Sequence, residues 1–354
     1  MSLKFVDSWD HYQTIDIGKK WDISGVPAIG SDPAIARHAS YLQLEHYAAV
    51  STPDFGEAAT VIVGFAYRYS GAGHIDANMR IVHFLSDGGN EEECYLRRGL
   101  GEPNHDKLEL WRVGDEEPLG RSASALVQNA WYYIEIKLKV AVAGSFEVRV
   151  DGDVWLSDAD ADTHAVNSYC DVIMLVADES FHGAFVWDPV YFDDLYICDA
   201  TGGKNNDFLG PVHVVALYPN GMGAHTDWAP SEGANYQCVQ EQSGDYPDGD
   251  STYVSSQSAA DIDTYGFDNV PYPPGGENTV AGVQTNLWCR QTIENGRTIA
   301  PVIRSSELDY EGTAVPLTVG YLDEHEAFDN EPNTDTDWTI TNVNAAQFGM
   351  KLVT

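Results

Sequence analysis

The stretch Trp131–Gly152, WYYIEIKLKVAVAGSFEVRVDG, decides the fold class of this chain. Apolar residues take every second position in two runs, from Ile134 to Val140 and from Phe146 to Val150. A period of two is typical of strands that bury one face and expose the other. The link through Gly144 suits an antiparallel hairpin, and Asp151-Gly152 suits a tight turn after its second strand. We therefore predict one sheet of a β-sandwich here. The side chains predicted to face solvent are Glu135, Lys137, Lys139, Glu147 and Arg149.

Further strand candidates follow one another along residues 41–198, each bounded by Gly, Asn or Asp. One of them, Asp171–Ala177, is almost continuously apolar, as expected for a strand that is buried on both faces. Helical periodicity is nearly absent. Many short strands separated by turn residues indicate an all-β sandwich or barrel.

The composition changes near residue 200, where Thr201–Asp207 is polar and rich in Gly and Asn. We predict a linker at 201–207 between a domain at 1–200 and a smaller β-rich domain at 208–354. A strand at Val212–Pro219 is predicted to open the second domain. A chain of 354 residues is long enough for more than one core.

The chain is strongly acidic, with 19 Lys and Arg against 55 Asp and Glu and a formal net charge of -36. Proteins that bind nucleic acid need cationic side chains to neutralise phosphates, so nucleic acid is excluded as a partner. Two interpretations of the acidity stay open. It can serve solubility alone, or a few acidic loops can bind Ca²⁺, which prefers oxygen ligands.

Targeting and cysteine patterns predict a protein made in a host cytoplasm. No run of apolar residues is long enough to span a membrane, so membrane insertion is not expected. The N-terminal residues lack the apolar core of a signal peptide. Five cysteines without CxxC or Cys/His spacing predict free buried thiols and neither disulfides nor zinc.

The best candidate for a metal loop is the alternation Asp158, Asp160 and Asp162. It lacks the Gly and the Glu of a calcium-binding helix–loop–helix, since Tyr169 stands at the twelfth position. Alternating carboxylates can still converge on one cation. We state Ca²⁺ as the only cofactor that these residues suggest, with a solvated acidic turn as the alternative.

No catalytic set stands out, and we predict that the chain is not an enzyme. A glycoside hydrolase needs two carboxylates at a set separation. The nearest acidic cluster, Glu324-His325-Glu326 with Glu331, lacks the spacing and is interpreted as a solvated loop. A Gly-x-Ser-x-Gly motif is absent. His164, His182 and His225 are isolated, which favours surface or packing roles over metal binding.

Aromatic residues make up 11% of the chain, and many tryptophans lie near predicted loops. Sugar-binding sites stack pyranose rings on such side chains, while large sandwich cores and subunit interfaces use them as often. Both interpretations stay open. The tryptophans concerned are Trp9, Trp21, Trp155, Trp187, Trp228, Trp288 and Trp338.

Three segments together resemble the concanavalin A-like, laminin G-like jelly roll. The first begins at Trp131, the second ends in the turn Asp151-Gly152, and the third carries Asp193-Asp194 in the segment Phe192–Ile197. In that family a Trp opens the central strand, a v-x-v-D-G turn follows, and a D-D-l-y strand closes the sandwich. The resemblance implies this sandwich fold for the N-terminal domain. Members of the family often bind glycans, and some bind calcium.

The flanking segments resemble a narrower group, the virion proteins of tailed phages. The opening Phe5–Tyr12, the linker Asn205–Pro211, the segment Leu217–Gly221 and the tail from Trp338 to Leu352 carry this likeness. It implies a structural protein of the virion, as a head or tail decoration, a fibre or a host-contact protein. Its partners would be other capsid or tail proteins, and a homotrimer is the expected assembly.

Two alternatives remain. The chain can be a carbohydrate-binding adhesin that recognises host surface glycans through sandwich loops and aromatic residues. It can also be a depolymerase, which requires a carboxylate pair about 5–10 Å apart in a groove.

Overall fold

This computed structural model describes residues 2–45, 47–70, 79–99, 103–179, 189–241, 247–271 and 279–354. The first part of the chain is built almost entirely from strands. Those strands are β1 Leu3–Asp7, β2 Asp22–Ser24, β3 Ala28–Gly30, β4 Tyr41–Leu44, β5 Ala49–Ser51, β6 Thr60–Tyr69, β7 Met79–Ser86, β8 Glu91–Arg98, β9 Lys107–Arg112, β10 Gly120–Ala125, β11 Tyr132–Lys139, β12 Gly144–Val150, β13 Asp153–Ala161, β14 Val172–Glu179 and β15 Val190–Asp199. A helix α1 at Ile17–Lys20 follows a 3₁₀ turn at Thr14–Asp16.

These strands form two antiparallel sheets that pack face to face. The eight-stranded sheet has the order β13-β12-β11-β6-β15-β4-β3, and β1 adds to β15. The seven-stranded sheet has the order β10-β9-β8-β7-β14-β5-β2. Many neighbours are consecutive strands, whereas β6, β14 and β15 pair with strands that are distant in sequence, as in a jelly roll. One large cluster of buried side chains, drawn from both sheets, fills the space between them. The predicted all-β jelly-roll sandwich is confirmed.

The hairpin that the alternating pattern predicts is present as β11 and β12, with Ile136 opposite Val148. Ile134, Ile136, Leu138 and Val148 are fully buried and belong to the core between the sheets. Alternation places these side chains on one face because successive Cβ atoms of a strand point to opposite sides. The pattern alone therefore gave the correct inward face.

The prediction that Glu135 faces solvent is wrong. Glu135 is 1% exposed, and its Oε1 accepts hydrogen bonds from Tyr196 Oη at 2.6 Å and from Gly210 N at 2.8 Å. The segment 208–212 lies across the outer face of the eight-stranded sheet and packs on Tyr133 and Tyr196. Because the hairpin carries no information about what covers its outer face, the pattern could not predict this burial.

The second part of the chain is also antiparallel β-structure. Its strands are β16 Pro219–Thr226, β17 Ala229–Pro230, β18 Val254–Ser255, β19 Ile262–Phe267, β20 Thr279–Val280, β21 Val283–Cys289, β22 Thr298–Ser305, β23 Leu308–Glu311, β24 Val315–Pro316, β25 Leu322–Phe328, β26 Asn330–Glu331, β27 Thr336–Thr339 and β28 Gln347–Leu352. A six-stranded sheet runs β16-β19-β28-β22-β23 with β24 beside β22, and smaller sheets pair the rest. Helix α2 is Ile340–Ala345, and a 3₁₀ turn lies at Asn235–Cys238. The predicted boundary at 201–207 stays a prediction.

Two predictions for this part are wrong. Glu324-His325-Glu326 is not a solvated loop, because it lies in β25, which pairs with β21 along its length. Within it, the His325 ring makes an edge contact with Phe5, at 5.1 Å between centroids. The predicted strand at Val212–Pro219 is not formed, since β16 begins only at Pro219, and Val214 N donates to the side chain of Asp194 instead of to a neighbouring strand.

The five cysteines are free thiols, and all except Cys289 are buried. Both α-helices are short, and within the described residues no helix has the length and apolar character needed to cross a membrane.

Ile136→Asp should unfold the sandwich, because an unpaired carboxylate would replace a fully buried apolar side chain. We expect a loss of about 3–5 kcal/mol in the free energy of unfolding, measured by urea denaturation. Val142→Asp, at a position that is 69% exposed in the same hairpin, is the matched control and should change little. Equal stability of the two variants would contradict the inward assignment of Ile136.

Candidate functional site

The residues that carry the jelly-roll resemblance have structural roles. They are Trp131, Asp151, Gly152, Asp193 and Asp194. Trp131 precedes β11, and its Nε1 donates to the carbonyl of Ile35 at 2.8 Å. Asp151 and Gly152 form the tight turn between β12 and β13, with φ of 52° and 87°. Positive φ at both central residues is the geometry that matches the twist of a β-hairpin. The sequence thus identified this turn correctly.

Asp193 and Asp194 lie side by side in β15 and are both buried. Between Asp193 and Tyr196 the pairing with β6 shifts by one residue, and Asp194 has a φ of 51°. Such a bulge turns a side chain out of the regular alternation. Burial, with Asp194 and Asp10 nearby, raises the pKa of Asp193 to about 9.

The calcium candidates lie at the end of β13. Asp158 and Asp160 are exposed, and Asp160 N donates to Asp158 Oδ1 at 2.9 Å. Asp162 forms an ion pair with Arg112, and this hydrogen bond lowers the pKa of Asp162. Asp158 and Asp160 therefore lie next to each other, whereas Asp162 is paired with Arg112. Calcium binding at these residues stays a prediction.

The histidines named from the sequence do not come together. His225 lies 2.8 Å from Asp309 in an ion pair, His164 is half-buried after β13, and His182 lies outside the described residues. Of the tryptophans, Trp9, Trp21 and Trp338 are buried in cores. Trp187 also lies outside the described residues. Packing in a core accounts for the three buried rings. Aromatic residues on the outer face of the seven-stranded sheet have a different role.

That outer face carries two rows of polar and aromatic side chains in register across neighbouring strands. One row runs His83, Tyr95, Trp111 across β7, β8 and β9. The other row runs Arg80, Arg97, Glu109, Arg121 and reaches β10. Side chains directly opposite on one face of a sheet are in contact. We call the surface formed by Arg80, His83, Glu92, Tyr95, Arg97, Glu109, Trp111 and Arg121 the arginine–aromatic face.

Stacking organises the centre of the arginine–aromatic face. The rings of Tyr95 and Trp111 are parallel within 4°, with centroids 6.3 Å apart. The guanidinium of Arg80 lies 4.0 Å from the Tyr95 centroid, and that of Arg97 lies 4.1 Å from the Trp111 centroid. Cation–π contacts of this kind hold an arginine flat on a ring. The rings are each only 8% exposed as a result, so guanidinium groups form the outermost layer.

Glu109 orients two of the three arginines. It is 1% exposed and accepts from Arg97 Nε at 2.9 Å, from Arg121 Nε at 2.5 Å and from Trp111 Nε1 at 3.0 Å. Burial alone would raise the pKa of Glu109, but these hydrogen bonds outweigh it and lower the pKa below its ordinary value. Glu109 is therefore ionised at neutral pH and fixes the arginine side chains in place.

A second carboxylate supports the other end of the face. His83 Nδ1 lies 2.7 Å from Glu92 Oε1, and Arg80 Nη1 lies 3.3 Å from the same oxygen. The arginine–aromatic face thus presents three arginines against two glutamates, on a chain whose net charge is -36. Fixed guanidinium groups match the geometry of carboxylate and sulfate groups. The arrangement is suited to binding an anion along the sheet surface.

Sequence analysis did not identify this face. Its residues come from four strands, and the pattern that marks it is a charged residue two positions after or before an aromatic residue, as in Tyr95-x-Arg97 and Glu109-x-Trp111. Those alternations indicate one strand face each. Only the pairing order β7-β8-β9-β10 places the strand faces next to one another.

Comparisons with known proteins match the fold and no sequence family. No protein-family model matches the chain, and no curated protein matches it. Among solved structures, an endo-β-1,4-glucuronan lyase from the fungus Trichoderma reesei is 13% identical, with 51% of this chain and 91% of that chain covered and a TM-score of 0.38. An alginate lyase is 11% identical, with 55% and 95% covered and a TM-score of 0.37.

A carbohydrate esterase from the Shiga toxin-encoding bacteriophage phi24B is 15% identical, with 55% of this chain and 99% of that chain covered and a TM-score of 0.36. At these identities and scores the likeness concerns the sandwich fold and does not transfer an activity. The prediction that the chain is not an enzyme is nevertheless wrong as an exclusion, because polysaccharide lyases are among the similar sandwiches. The missing motifs belong to other enzyme classes.

Glu109→Gln should make the stability of the protein less dependent on acid. A carboxylate whose pKa is lowered on folding stabilises the native state above its unfolded pKa of about 4.3, and this contribution is lost as the pH falls through the folded pKa. We expect the variant to be less stable by about 2 kcal/mol at pH ~7 and nearly equal to the parent near pH ~2. Urea unfolding at both pH values measures the difference. The control is Glu91→Gln, at an exposed position on the neighbouring strand β8. A stability difference between Glu109→Gln and the parent that is the same at both pH values would contradict the assignment.

Proposed function

We propose that this protein binds an anionic polysaccharide on the arginine–aromatic face of its sandwich. The observation that carries the proposal is the layer of arginines fixed over the parallel rings of Tyr95 and Trp111. Their guanidinium groups can each donate two hydrogen bonds to a carboxylate or sulfate. The ligand class we propose is therefore a polyuronate or a sulfated glycan.

The covering of the rings argues against a neutral sugar as the ligand. A pyranose that stacks on an aromatic side chain needs the ring face, and here Tyr95 and Trp111 are each 8% exposed. An anionic chain needs only the guanidinium groups. Glu109 already orients those of Arg97 and Arg121, and those of Arg80 and Arg97 are stacked on the rings. Little side-chain entropy is then lost on binding, because these arginines are held before the ligand arrives.

Charge contrast also supports an extended anionic ligand. The net charge of the chain is -36, which repels an anionic polymer on average, whereas the three arginines can attract it locally. The row from Arg80 to Arg121 crosses four strands, and neighbouring strands lie about 4.8 Å apart. A row of that length can accommodate several consecutive sugar units instead of a single one.

Arg121→Gln should weaken binding to a polyuronate by about tenfold, because a charged hydrogen bond contributes about 1.5–3 kcal/mol. Calorimetric titration with oligouronates measures this, with a neutral glucan oligosaccharide as the ligand that should not bind. Raising the salt concentration should weaken binding, since exposed charges are screened. The recovered polymer is also checked for chain shortening, which would add cleavage to binding.

Arg149→Gln is the matched control on the other sheet. Arg149 pairs with Glu147 at 2.6 Å and its side chain is 34% exposed, against 2.5 Å and 35% for Arg121 with Glu109. Both substitutions remove one positive charge from an arginine of nearly equal exposure that is paired with a glutamate, although Glu147 is partly exposed and Glu109 is buried. If Arg149→Gln lowers the affinity as much as Arg121→Gln, the ligand does not bind on the proposed face.

We further propose that the protein is a component of a tailed-phage particle, assembled as a homotrimer, where the arginine–aromatic face contacts an acidic polysaccharide of the host surface. The support is the sequence resemblance in Phe5–Tyr12, Asn205–Pro211 and Trp338–Leu352. Mass spectrometry of purified particles should detect the chain, and light scattering of the isolated protein should give three copies per assembly. Absence of the chain from purified particles would contradict the proposal that it is a particle component. The titration would still test polysaccharide binding separately.

A further inference from the structure

We propose that His38, Asp194 and His213 form a binding site for a divalent transition-metal ion of the zinc type. One ligand atom from each residue lies within 4.8 Å of the others, which is compact enough for a single ion to contact all three. No other group of three His, Cys, Asp or Glu ligands as compact as this is found across the described parts of the chain. The site lies on the outer side of the eight-stranded sheet, away from the arginine–aromatic face.

The carboxylate of Asp194 is placed by the bulge in β15. Asp194 is fully buried, and its Oδ1 accepts a hydrogen bond from Val214 N at 2.8 Å. Its Oδ2 accepts no hydrogen bond from any described residue, and Arg37 Nη1 and His38 Nε2 each lie 3.3 Å from it. Leaving a buried carboxylate oxygen without a hydrogen bond costs free energy. A cation bound to Oδ2 would compensate that cost.

Two separate segments bring the imidazoles to this oxygen. His38 follows a loop whose Ile35 carbonyl accepts from Trp131 Nε1 at 2.8 Å and from Arg68 Nη1 at 3.1 Å. His213 is held next to Val214, whose amide donates to Asp194. The two imidazole rings are stacked, with centroids 3.5 Å apart and planes within 22°. Both rings therefore lie at the same edge of the buried carboxylate.

The donor set selects the kind of ion. Two imidazole nitrogens and one carboxylate oxygen are ligands of Zn²⁺ and of ions with similar preferences, and they leave one tetrahedral position open. Calcium requires six to eight oxygen ligands, which this site does not offer. Arg37 neutralises Asp194 in the metal-free protein, and the ion must displace it from Oδ2. Arg37 keeps a second contact when displaced, because its guanidinium lies 5.3 Å from the Tyr133 ring.

The three ligands come from three different parts of the chain, namely the loop before β4, strand β15 and the unpaired segment before β16. A bound ion would therefore fasten the segment that leaves the sandwich to the sandwich itself. Protein stability should increase with metal concentration, because a ligand that binds only the folded state shifts the unfolding equilibrium.

The test uses the full chain, freed of metal with a chelator and then titrated with Zn²⁺ by calorimetry and with Co²⁺ by visible absorption. We expect one ion per chain and d–d bands of a four-coordinate Co²⁺ site. His38→Gln and His213→Gln should each lower the affinity at least about tenfold. Both histidines are exposed, so the variants should fold, which circular dichroism checks.

Two further variants sharpen the test. His225→Gln is the matched control, because His225 faces the single carboxylate of Asp309 at 2.8 Å and should contribute nothing to this site. Arg37→Gln should tighten binding, since it removes the cation that competes for Asp194 Oδ2. Unchanged affinity in both His38→Gln and His213→Gln, or no binding by the parent protein, would overturn the proposal. Weaker binding by Arg37→Gln would overturn the assignment of Asp194 Oδ2 as a ligand.

Discussion

The structure depends on covering both faces of the central strands of the eight-stranded sheet. Every residue of β15 is buried, so its outer face needs a cover as much as its inner one does. Residues 208–212 provide that cover, and hydrogen bonds fix their position, because Tyr196 Oη and Gly210 N both donate to Glu135. Gly64 permits this packing, since a Cβ there would lie 2.2 Å from the Tyr196 ring. The connecting segment is thus part of the sandwich surface, although it contributes no strand to it.

Buried charge follows the same principle throughout the molecule. In a chain with 55 acidic residues, the carboxylates that enter the interior are those with donors close by. Asp7 accepts from Trp9, Tyr12 and Trp21 and lies 3.1 Å from the buried Lys20 Nζ. Glu109 likewise binds two arginines and an indole. Asp194 Oδ2 is one of the buried carboxylate oxygens to which no described residue gives a hydrogen bond, as are oxygens of Asp171, Asp193 and Asp263.

The fold class and the inward face of the hairpin could be predicted because both follow from local periodicity. Ile136 is buried because successive side chains of a strand point to opposite faces, and the apolar ones here all point into the core. Three features could not be predicted this way. The burial of Glu135 depends on a segment 75 residues away in sequence. The arginine–aromatic face depends on strand order, and His38 and His213 come from segments distant in sequence that meet at Asp194. Long-range pairing decides each of them, and a single sequence does not encode it in any local pattern.

The two proposed sites lie on opposite outer surfaces of the sandwich, and because of this separation we expect them to act independently. The arginine–aromatic face belongs to the seven-stranded sheet, whereas Asp194 belongs to the eight-stranded sheet. Packed sheets are about 10 Å apart, and residues that share no partners at such distances contribute to stability nearly independently. A metal ion at His38, Asp194 and His213 would therefore stabilise the connection to the C-terminal part without altering the arginines. This architecture therefore implies that the metal ion does not change the affinity for the polysaccharide.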